Sequence, residues 1–378
     1  MSAETLPETQ LQLRSEITSD GQLRLSLNRI PVPQPKAHEV LVRVDATPIN
    51  PSDLAVLLGP AAVDSLAVEG AGENAKVTMA VEPRILKAYA ARLDKAIPVG
   101  NEGSGVVVAA GEQGQGLIGK VVGAAGGGMY CQYRCVPAMA CLVMNEGTTV
   151  EQAASSFVNP LTSLSMVETM RMENHTALVH TAAASNLGQM LVKICKDDGV
   201  PLVNIVRKQE QVDLLKGIGA EYVCNSSDPD FMEQLVNALE KTGATLAFDA
   251  IGGGKLASQI ITAMEIVASK NMKEWTPYGS DVLKQVYVYG GLDINPIQLN
   301  RSFGMTWGVG GWLLTPFLQR LGMERLQELR KRIANEINTT FASHYTQEIS
   351  LQQALTEETI RSYAKQATGE KYLIRPQL

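Results

Sequence analysis

A turn of small residues and a basic pair further along the chain are the residues best placed to bind a charged ligand. The turn runs from Ala182 to Asn186, and Arg207 and Lys208 follow, with Arg207 nineteen positions after Gly188. A helix that begins after such a turn presents N–H groups and the positive end of its dipole to a pyrophosphate. In dinucleotide-binding folds, the residue about twenty positions further on contacts the adenosine ribose. Because a cation there suits a 2′-phosphate, whereas an acid would accept from a ribose hydroxyl, the sequence favours NADPH over NADH.

The residues around this turn have the pattern of a strand, a helix and a second strand. Segments 177–181 and 202–206 are short and mostly apolar, as expected of parallel strands buried on both faces. Between them, apolar residues recur at the spacing of a half-buried helix: Leu187, Met190, Leu191 and Ile194. Of the usual G-x-G-x-x-G fingerprint only Gly188 is kept, so a buried βαβ unit without a ligand is the alternative interpretation.

The sequence contains no clear motif for a metal site or a catalytic nucleophile. Cys131, Cys135 and Cys141 are close together, but their spacing is not that of paired C-x-x-C ligands, and the four histidines are scattered. We therefore interpret these cysteines as ordinary strand residues. No G-x-S-x-G motif occurs. His180 ends the first strand of the βαβ unit, where packing is favoured over a role as general base.

Composition restricts the partners and the compartment. The net charge is −6 and no run of Lys or Arg occurs, which argues against nucleic acid and anionic membranes as partners. No apolar segment is long enough to span a bilayer. The N-terminus carries Glu4 and Glu8 and no early basic residue, unlike a signal peptide, and five cysteines without a disulfide framework fit a reducing compartment. We therefore expect a cytoplasmic protein without nucleic acid or a membrane as partner.

The 378 residues are enough for two domains of different texture. Short strands separated by Gly-rich turns dominate the first 150 or so residues and predict a small β-barrel. After Val150, strands alternate with helices and predict six strands of a doubly wound parallel sheet. The predicted fold class is α/β. The predicted domains are residues 1–155, residues 156–315, and residues 316–378, which return to the first domain.

Three local features of the sequence carry predictions of their own. Residues 61–97 are interpreted as an insertion, a loop plus one helix, whose apolar stripe packs against the main body or forms a lid; the stripe consists of Ile85, Leu86, Tyr89 and Leu93. Residues 47–60 are interpreted as a turn that enters a short helix, with Ser52 or Asp53 as its cap. Asn159-Pro160 is expected to separate two helices.

Six motifs in this order resemble the medium-chain dehydrogenase/reductase superfamily. They are NPSD from Asn50, VGNEGSGVVVAAG from Val99, VNPLTS from Val158, the βαβ unit ending in Val206-Arg207, YGG from Tyr289 and GEKYLIRP from Gly369. More closely, the chain resembles the zinc-independent branch of quinone oxidoreductases and mitochondrial-type trans-2-enoyl-thioester reductases. The resemblance implies a GroES-like β-barrel catalytic domain, built from both ends of the chain, and a Rossmann NADPH-binding domain. It also implies a homodimer joined near residues 303–311.

The positions of zinc ligands in metal-containing relatives are occupied here by amides. Asn50, Asn101 and Asn159 stand at these positions, and Glu102 alone keeps the zinc-type residue. Amide side chains do not replace the thiolate and imidazole ligands of such a site. We therefore expect a metal-free enzyme.

The resemblance also implies a set of NADPH contacts. Asn159 and Thr162 lie near the nicotinamide; Ala184, Ser185, Asn186, Leu187 and Gly188 form the phosphate turn; Arg207 and Lys208 hold the 2′-phosphate; Tyr289, Gly290 and Gly291 border the cofactor, as do Gly311, Trp312 and Leu313; Lys371 closes on the nicotinamide side. For Trp312 the alternative is a hydrophobic anchor, and for Lys371 it is a solvated surface lysine.

One expected residue is missing. The enoyl-thioester reductases carry a tyrosine proton donor shortly after NPSD, and Ala61 occupies that position here. Reduction of an activated C=C bond needs a hydride on Cβ and a proton on Cα. Tyr89 is one candidate donor, although helix packing is its favoured role. A quinone needs no such donor, because a hydroquinone can take its proton from water.

Three hypotheses about function follow. The leading one is an NADPH-dependent, metal-free reductase that transfers hydride to a quinone or to an enone or enoyl acceptor. The second is an enoyl-thioester reductase with a relocated proton donor. The third is an NADPH-binding protein with a sensing or structural role and little turnover.

Overall fold

The computed structural model describes residues 6–367 and 369–378, so Glu4 lies outside the described residues. The chain divides into two compact units. The β unit comprises Met1–Val158 and Arg330–Leu378, and the α/β unit comprises Asn159–Leu329. The sequence places the boundaries at 155 and 315, whereas the compact units divide at 158 and 329. The division into independently folding domains stays a prediction.

Two sheets form the β unit. The strands are β1 (Thr9–Ile17), β2 (Gln22–Pro31), β3 (Glu39–Pro48), β4 (Ala62–Glu69), β5 (Lys76–Ala80), β6 (Ile97–Pro98), β7 (Glu102–Ala110), β8 (Val121–Ala125), β9 (Tyr133–Pro137), β10 (Leu142–Val143), β17 (Gln347–Ile349) and β18 (Tyr372–Ile374). The order in one sheet is β4-β5-β2-β1-β6, and in the other β10-β8-β7-β3-β18-β17, with β9 also paired to β3. The helices are α1 (Pro51–Leu57), α2 (Pro83–Leu86), α3 (Val150–Ala153) and α11 (Glu357–Tyr363).

Strand β3 explains why both ends of the chain contribute to this unit. Its Val40, Val42 and Val44 are fully buried on one face, as the alternation of a strand requires. Strand β18 pairs with β3 in antiparallel register, Leu373 opposite Pro48. Strand β18, from the C-terminal segment, therefore lies in the same sheet as a strand from the first fifty residues.

The prediction for residues 61–97 is wrong in part. The segment contains strands β4 and β5, which pair with each other and extend the sheet beyond β2. The signal for β5 is the alternation of Val77, Met79 and Val81, all of which are buried. The helical part is shorter than predicted, because α2 is followed by a 3₁₀ helix at Lys87–Tyr89. Tyr89 packs partly buried against the core of the unit.

Two local predictions are corrected at helix starts. The cap of α1 is Asn50, not Ser52 or Asp53, and Asp53 Oδ2 accepts a hydrogen bond from the Asn50 N–H at 2.7 Å. Helix α4 (Val158–Met172) begins before Asn159-Pro160, so the break between helices falls at residues 154–157. A proline in the first turn of a helix removes no intrahelical hydrogen bond, and Pro160 therefore does not interrupt α4.

The α/β unit contains a six-stranded parallel sheet in the order β13-β12-β11-β14-β15-β16. Its strands are β11 (Leu178–Thr181), β12 (Leu202–Val206), β13 (Tyr222–Asn225), β14 (Leu246–Asp249), β15 (Lys284–Val288) and β16 (Trp307–Gly311). The helices besides α4 are α5 (Asn186–Asp197), α6 (Gln209–Gly217), α7 (Phe231–Thr242), α8 (Leu256–Lys270) and α9 (Leu314–Leu321), and α10 (Met323–Asn335) runs across the boundary of the unit. The predicted α/β fold class with a doubly wound parallel sheet is confirmed.

Candidate functional site

One edge of the parallel sheet gathers most of the residues that the sequence assigns to cofactor binding. Parallel strands end at the same edge of their sheet, and ligands of open α/β sheets bind there. The residues that end β11, β12, β14, β15 and β16 are Thr181, Val206, Asp249, Val288 and Gly311. The predicted contacts at 184–188, 207–208, 289–291 and 311–313 lie at or just after four of these ends.

The turn between β11 and α5 is held in a shape that requires Gly188. Helix α5 begins after Ser185, whose Oγ accepts from the Gly188 N–H at 3.2 Å. A Cβ atom on Gly188 would lie 2.1 Å from the carbonyl oxygen of Ala183. No larger residue fits without a shift of the turn, so the single glycine kept from the fingerprint is the one that lets the helix approach the strand closely.

Arg207 and Lys208 follow β12 with exposed side chains, and hydrogen bonds hold the backbone of Arg207. The Arg207 N–H donates to Gln211 Oε1 at 3.2 Å, and its carbonyl accepts from Ser227 Oγ at 2.9 Å. The side chains of Arg207 and Lys208 are both exposed. Across residues 6–367 and 369–378, neither forms an ion pair within the protein. Two cations at the end of this strand are therefore available to an anionic ligand.

Tyr289 is held by a buried histidine on the neighbouring part of the sheet. His180 Nε2 and the Tyr289 hydroxyl are 2.7 Å apart, and the two rings stack with centroids 5.8 Å apart. Burial lowers the pKa of His180 to about 3, so the imidazole is neutral at physiological pH. This supports packing and positioning rather than acid–base work for His180.

Asp249 fixes the Gly-rich turn after β14 and was not identified from the sequence. It is 1% exposed, and its Oδ1 accepts from Thr181 Oγ1 at 2.7 Å and from the Ile251 N–H at 3.0 Å. Its Oδ2 accepts from the Gly252 N–H at 3.2 Å. An acidic residue that closes an apolar strand before a run of glycines is the signal that could have identified it.

Trp312 lies in an aromatic cluster next to the sheet. Its ring stands edge-on to Phe248 at 5.5 Å and is tilted against Phe317 at the same distance. The indole N–H donates to Thr169 Oγ1 at 3.1 Å. These contacts are those of a hydrophobic anchor, and a cofactor contact for Trp312 stays a prediction.

The amides at the zinc-ligand positions of the β unit take part in a buried hydrogen-bond network. Asn50 Nδ2 donates to Glu102 Oε1 at 2.7 Å, and Asp53 Oδ1 accepts from the Asn101 N–H at 2.7 Å. Glu102 Oε2 accepts from the backbone N–H groups of Phe157 and Val158 at 2.8 and 2.9 Å. Burial raises the pKa of Glu102, and it raises that of Asp53 to about 7. Among the residues that the structure describes, no group of three or more His, Cys, Asp or Glu side chains could hold a metal ion.

Lys371 is bonded to other side chains of the β unit and is not a fully solvated surface lysine. Its Nζ donates to Ser155 Oγ at 2.8 Å, and Ser155 Oγ lies 2.9 Å from the hydroxyl of Tyr345. The ammonium is 5.4 Å from the centre of the Tyr345 ring. Burial lowers the pKa of Lys371 to about 8, although the charge of Glu102 acts in the opposite direction.

The three clustered cysteines behave as core residues. Cys131 and Cys141 are buried, Cys135 is partly buried, and all three are free thiols. Burial raises the pKa of the Cys131 thiol to about 12 and that of Cys141 to about 11. Such thiols are poor nucleophiles and poor metal ligands at physiological pH.

Sequence comparisons match this chain to known oxidoreductases over part of its length. Residues 187–268, within the α/β unit, match the family model described as zinc-binding dehydrogenase. A mitochondrial enoyl-[acyl-carrier-protein] reductase from Xenopus tropicalis is 25% identical over 288 residues, which cover 73% of this chain and 68% of that protein. An NAD-dependent alcohol dehydrogenase from Sulfurisphaera tokodaii is 24% identical over 244 residues, which cover 62% and 70%.

Solved structures extend the similarity to nearly the whole chain. A proposed NADPH:quinone reductase from Mesorhizobium loti superposes with a TM-score of 0.72 at 25% identity, over 99% of this chain and 100% of that one. The Escherichia coli quinone oxidoreductase complexed with NADPH gives a TM-score of 0.68 at 17% identity, over 97% and 100%. Together, the family model, the sequence relatives and the solved structures support the medium-chain dehydrogenase/reductase superfamily of oxidoreductases. Within it, they support the branch of the quinone and enoyl reductases.

The two units agree with this similarity, because the chain has a Rossmann-like parallel sheet in one unit and a separate β unit. No helix formed by the described residues combines the length and the apolarity that crossing a membrane requires.

The predicted site residues of this reductase fall into three groups. Those at the carboxyl edge of the parallel sheet are brought together by the strand ends. Asn159 and Thr162 lie buried near the start of α4 in the same unit. Tyr89 and Lys371 belong to the β unit. Their roles toward a cofactor or a substrate stay predictions.

Proposed function

We propose that this medium-chain reductase is an NADPH-dependent, metal-free oxidoreductase that transfers a hydride to a conjugated carbonyl compound. The acceptor is a quinone or an enone or enoyl compound. The observation that carries the proposal is the pair of exposed cations, Arg207 and Lys208, on the same sheet edge as the turn before α5. A cation at this position suits a 2′-phosphate.

The residues of the α/β unit fit a dinucleotide phosphate. The first turn of the twelve-residue helix α5 directs the positive end of its dipole toward the turn at 182–185. A side chain at Gly188 would occupy the space in which helix and turn approach each other. Arg207 and Lys208 would hold the 2′-phosphate, and Tyr289, Gly290 and Gly291 would border the rest of the ligand. When bound, NADPH supplies the hydride.

The protein's own residues contribute position more than acid–base chemistry at this edge. His180 is neutral and fixes the Tyr289 hydroxyl. The carboxylate of Asp249 accepts hydrogen bonds from the turn that contains Gly252. Such fixed groups align a substrate for hydride transfer without proton exchange. A quinone can be reduced by this arrangement alone, because its oxygen atoms are protonated by water.

A panel of acceptors tests the proposal. Purified protein is mixed with NADPH or NADH and with phenanthrenequinone, cyclohexenone or crotonyl-CoA, and cofactor oxidation is followed by absorbance. We expect turnover with at least one acceptor and a higher kcat/KM with NADPH. Turnover that prefers NADH would overturn the cofactor assignment. Tight NADPH binding without turnover on any acceptor would favour a sensing or structural role instead.

We further propose that the protein forms a homodimer through the edge of the parallel sheet at β16. This strand pairs only with β15 among the described strands. Next to its start, the exposed side chains of Tyr278 (71%) and Met305 (66%) lie on segments joined by a hydrogen bond from the Met305 N–H to the Tyr278 carbonyl. We call these two side chains the edge patch. Exposed apolar groups beside an open strand edge mark an interaction surface.

The cytoplasmic location stays a prediction.

A further inference from the structure

The position expected for a proton donor carries no acidic hydrogen in this protein. Ala61 packs against the apolar core of the β unit, as does Tyr89, the replacement suggested by the sequence. An enone or enoyl acceptor nevertheless needs a proton on Cα after hydride reaches Cβ. The proposed function therefore requires another group of the protein to act as acid with these acceptors.

Three residues far apart in the sequence form a connected chain of proton-carrying groups. Lys371 Nζ donates to Ser155 Oγ at 2.8 Å, and Ser155 Oγ is 2.9 Å from the Tyr345 hydroxyl. Strands β17 and β18 are parallel with Gln347 opposite Tyr372, so Tyr345 and Lys371, which precede them, start from the same end of the pair. Ser155 comes from the turn between α3 and α4.

The environment of this chain of groups suits proton transfer. Ser155 is 1% exposed, whereas Tyr345 and Lys371 at the two ends are partly exposed, so one end can meet solvent and the other a substrate. In residues 6–367 and 369–378, Lys371 forms no ion pair. Its ammonium faces the Ser155 and Ser343 hydroxyls and the Tyr345 ring. The negative charges of Glu102 and Asp53 favour its protonated form.

We infer that Tyr345 is the proton donor of this reductase toward enone and enoyl acceptors, with Lys371 and Ser155 as the residues that position and resupply its proton. The inference rests on the proposed function. It differs from the tyrosine expected at residue 61 and from Tyr89, because the donor comes from the segment before β17.

The acceptor would gain a C–H bond at Cβ from the hydride that bound NADPH would supply on oxidation to NADP⁺. The C=C electron pair would then move to give the enolate of the acceptor. The Tyr345 O–H bond breaks and its proton forms the C–H bond at Cα. Ser155 then gives its hydroxyl proton to the Tyr345 oxygen and receives one from the Lys371 ammonium, which water reprotonates.

A comparison of acceptors tests the inference. The ratio of kcat for the better of cyclohexenone and crotonyl-CoA to kcat for phenanthrenequinone is measured in wild type, Tyr345→Phe and Ser155→Ala. We expect Tyr345→Phe to lower this ratio by about 10²-fold or more, the usual contribution of a general acid. Ser155→Ala should lower it less, because water can replace the serine. Tyr372→Phe is the matched control, since its hydroxyl bonds Ser362 instead, and it should keep the wild-type ratio.

Each remaining outcome is decisive. An equal loss with both kinds of acceptor in Tyr345→Phe would show a role in folding or cofactor binding, and a fluorescence titration with NADPH would separate these two. Reduction of the quinone alone by the wild type would overturn the inference while leaving the proposed function intact. No turnover by the wild type with any acceptor would overturn the proposed function itself.

Discussion

Arg207 is the side chain on which the proposed preference for NADPH depends most. It is exposed and has no ion-pair partner in the described part of the chain, so its charge is available to the ligand. We expect Arg207→Glu to weaken NADPH binding by about tenfold to a hundredfold, since a hydrogen bond to a charged group contributes about 1.5–3 kcal/mol. NADH binding should change much less, because that cofactor has no 2′-phosphate.

Equilibrium titration with both cofactors measures this difference. Lys273→Glu, the same charge change at another exposed position of the α/β unit, is the control and should leave both affinities near wild type. Equal weakening of NADPH and NADH in Arg207→Glu would mean that the 2′-phosphate is not bound at residue 207.

We expect Lys371 to make the proposed reaction with enone or enoyl acceptors dependent on pH. Burial lowers its pKa to about 8 against the opposing charges of Glu102 and Asp53, so it loses its proton as the pH rises through that value. If the ammonium resupplies Tyr345, kcat with these acceptors should fall above about pH 8, by up to roughly tenfold per pH unit. This decrease of kcat above about pH 8 should be absent in Lys371→Met, which should show a lower kcat throughout. In Lys371→Arg the decrease should move to higher pH. If the decrease near pH 8 persists in Lys371→Met, another group causes it.

Individual elements differ in how far the sequence predicts them. Buried parallel strands such as β12 are continuous apolar runs flanked by turns, so their existence and order could be predicted. Strand β5 could not be separated from a loop, because only Val77, Met79 and Val81 alternate beside many small residues. The sequence predicts the break between α3 and α4 too late, at Asn159-Pro160, because a proline usually interrupts a helix but is compatible with the first turn of α4.

The turn between β11 and α5 gives a test of how tightly an element is specified. In Gly188→Ala, the new Cβ would lie 2.1 Å from the Ala183 oxygen, and the start of α5 must shift. We expect a loss of about 1–3 kcal/mol in the free energy of unfolding, together with weaker NADPH binding. Urea unfolding and cofactor titration measure both effects. Gly217→Ala is the control, because its added Cβ meets nothing within 4 Å; similar losses in both variants would exclude a special role for the turn.

At the scale of the whole molecule, the sequence predicts the proposed cofactor-binding residues but not the contacts of the proposed proton-transfer residues. The cofactor residues follow strands in sequence order, and their positions could be predicted from strand ends. The Lys371–Ser155–Tyr345 contacts join residues more than 180 positions apart, and no local pattern indicates them. Asn50, Asn101 and Glu102 were recognised as a set, but their hydrogen bonds to backbone and to Asp53 required the fold.

The proposed dimer is also a property of the whole molecule. Light scattering after size-exclusion chromatography should give about twice the chain mass of 40.7 kDa. Met305→Asp places a charge in the edge patch and should shift the protein toward the monomer mass. Met139→Asp, at a methionine of the β unit that is 75% exposed, is the control and should stay dimeric. A monomeric wild type would contradict the proposal.

The antiparallel pairing of β18 with β3 sets an order of events during synthesis on the ribosome. Leu373 lies opposite Pro48, which left the ribosome 325 residues earlier. The α/β unit is continuous in sequence, residues 159–329, and is synthesised before β18 can pair with β3. Lys371 directly precedes β18 and is therefore also synthesised near the end of the chain. Under the proposed function and the proton-donor inference, a chain cut short before these residues would keep the residues proposed to bind NADPH but would lack Lys371, and we expect it to fail in the reduction of an enone.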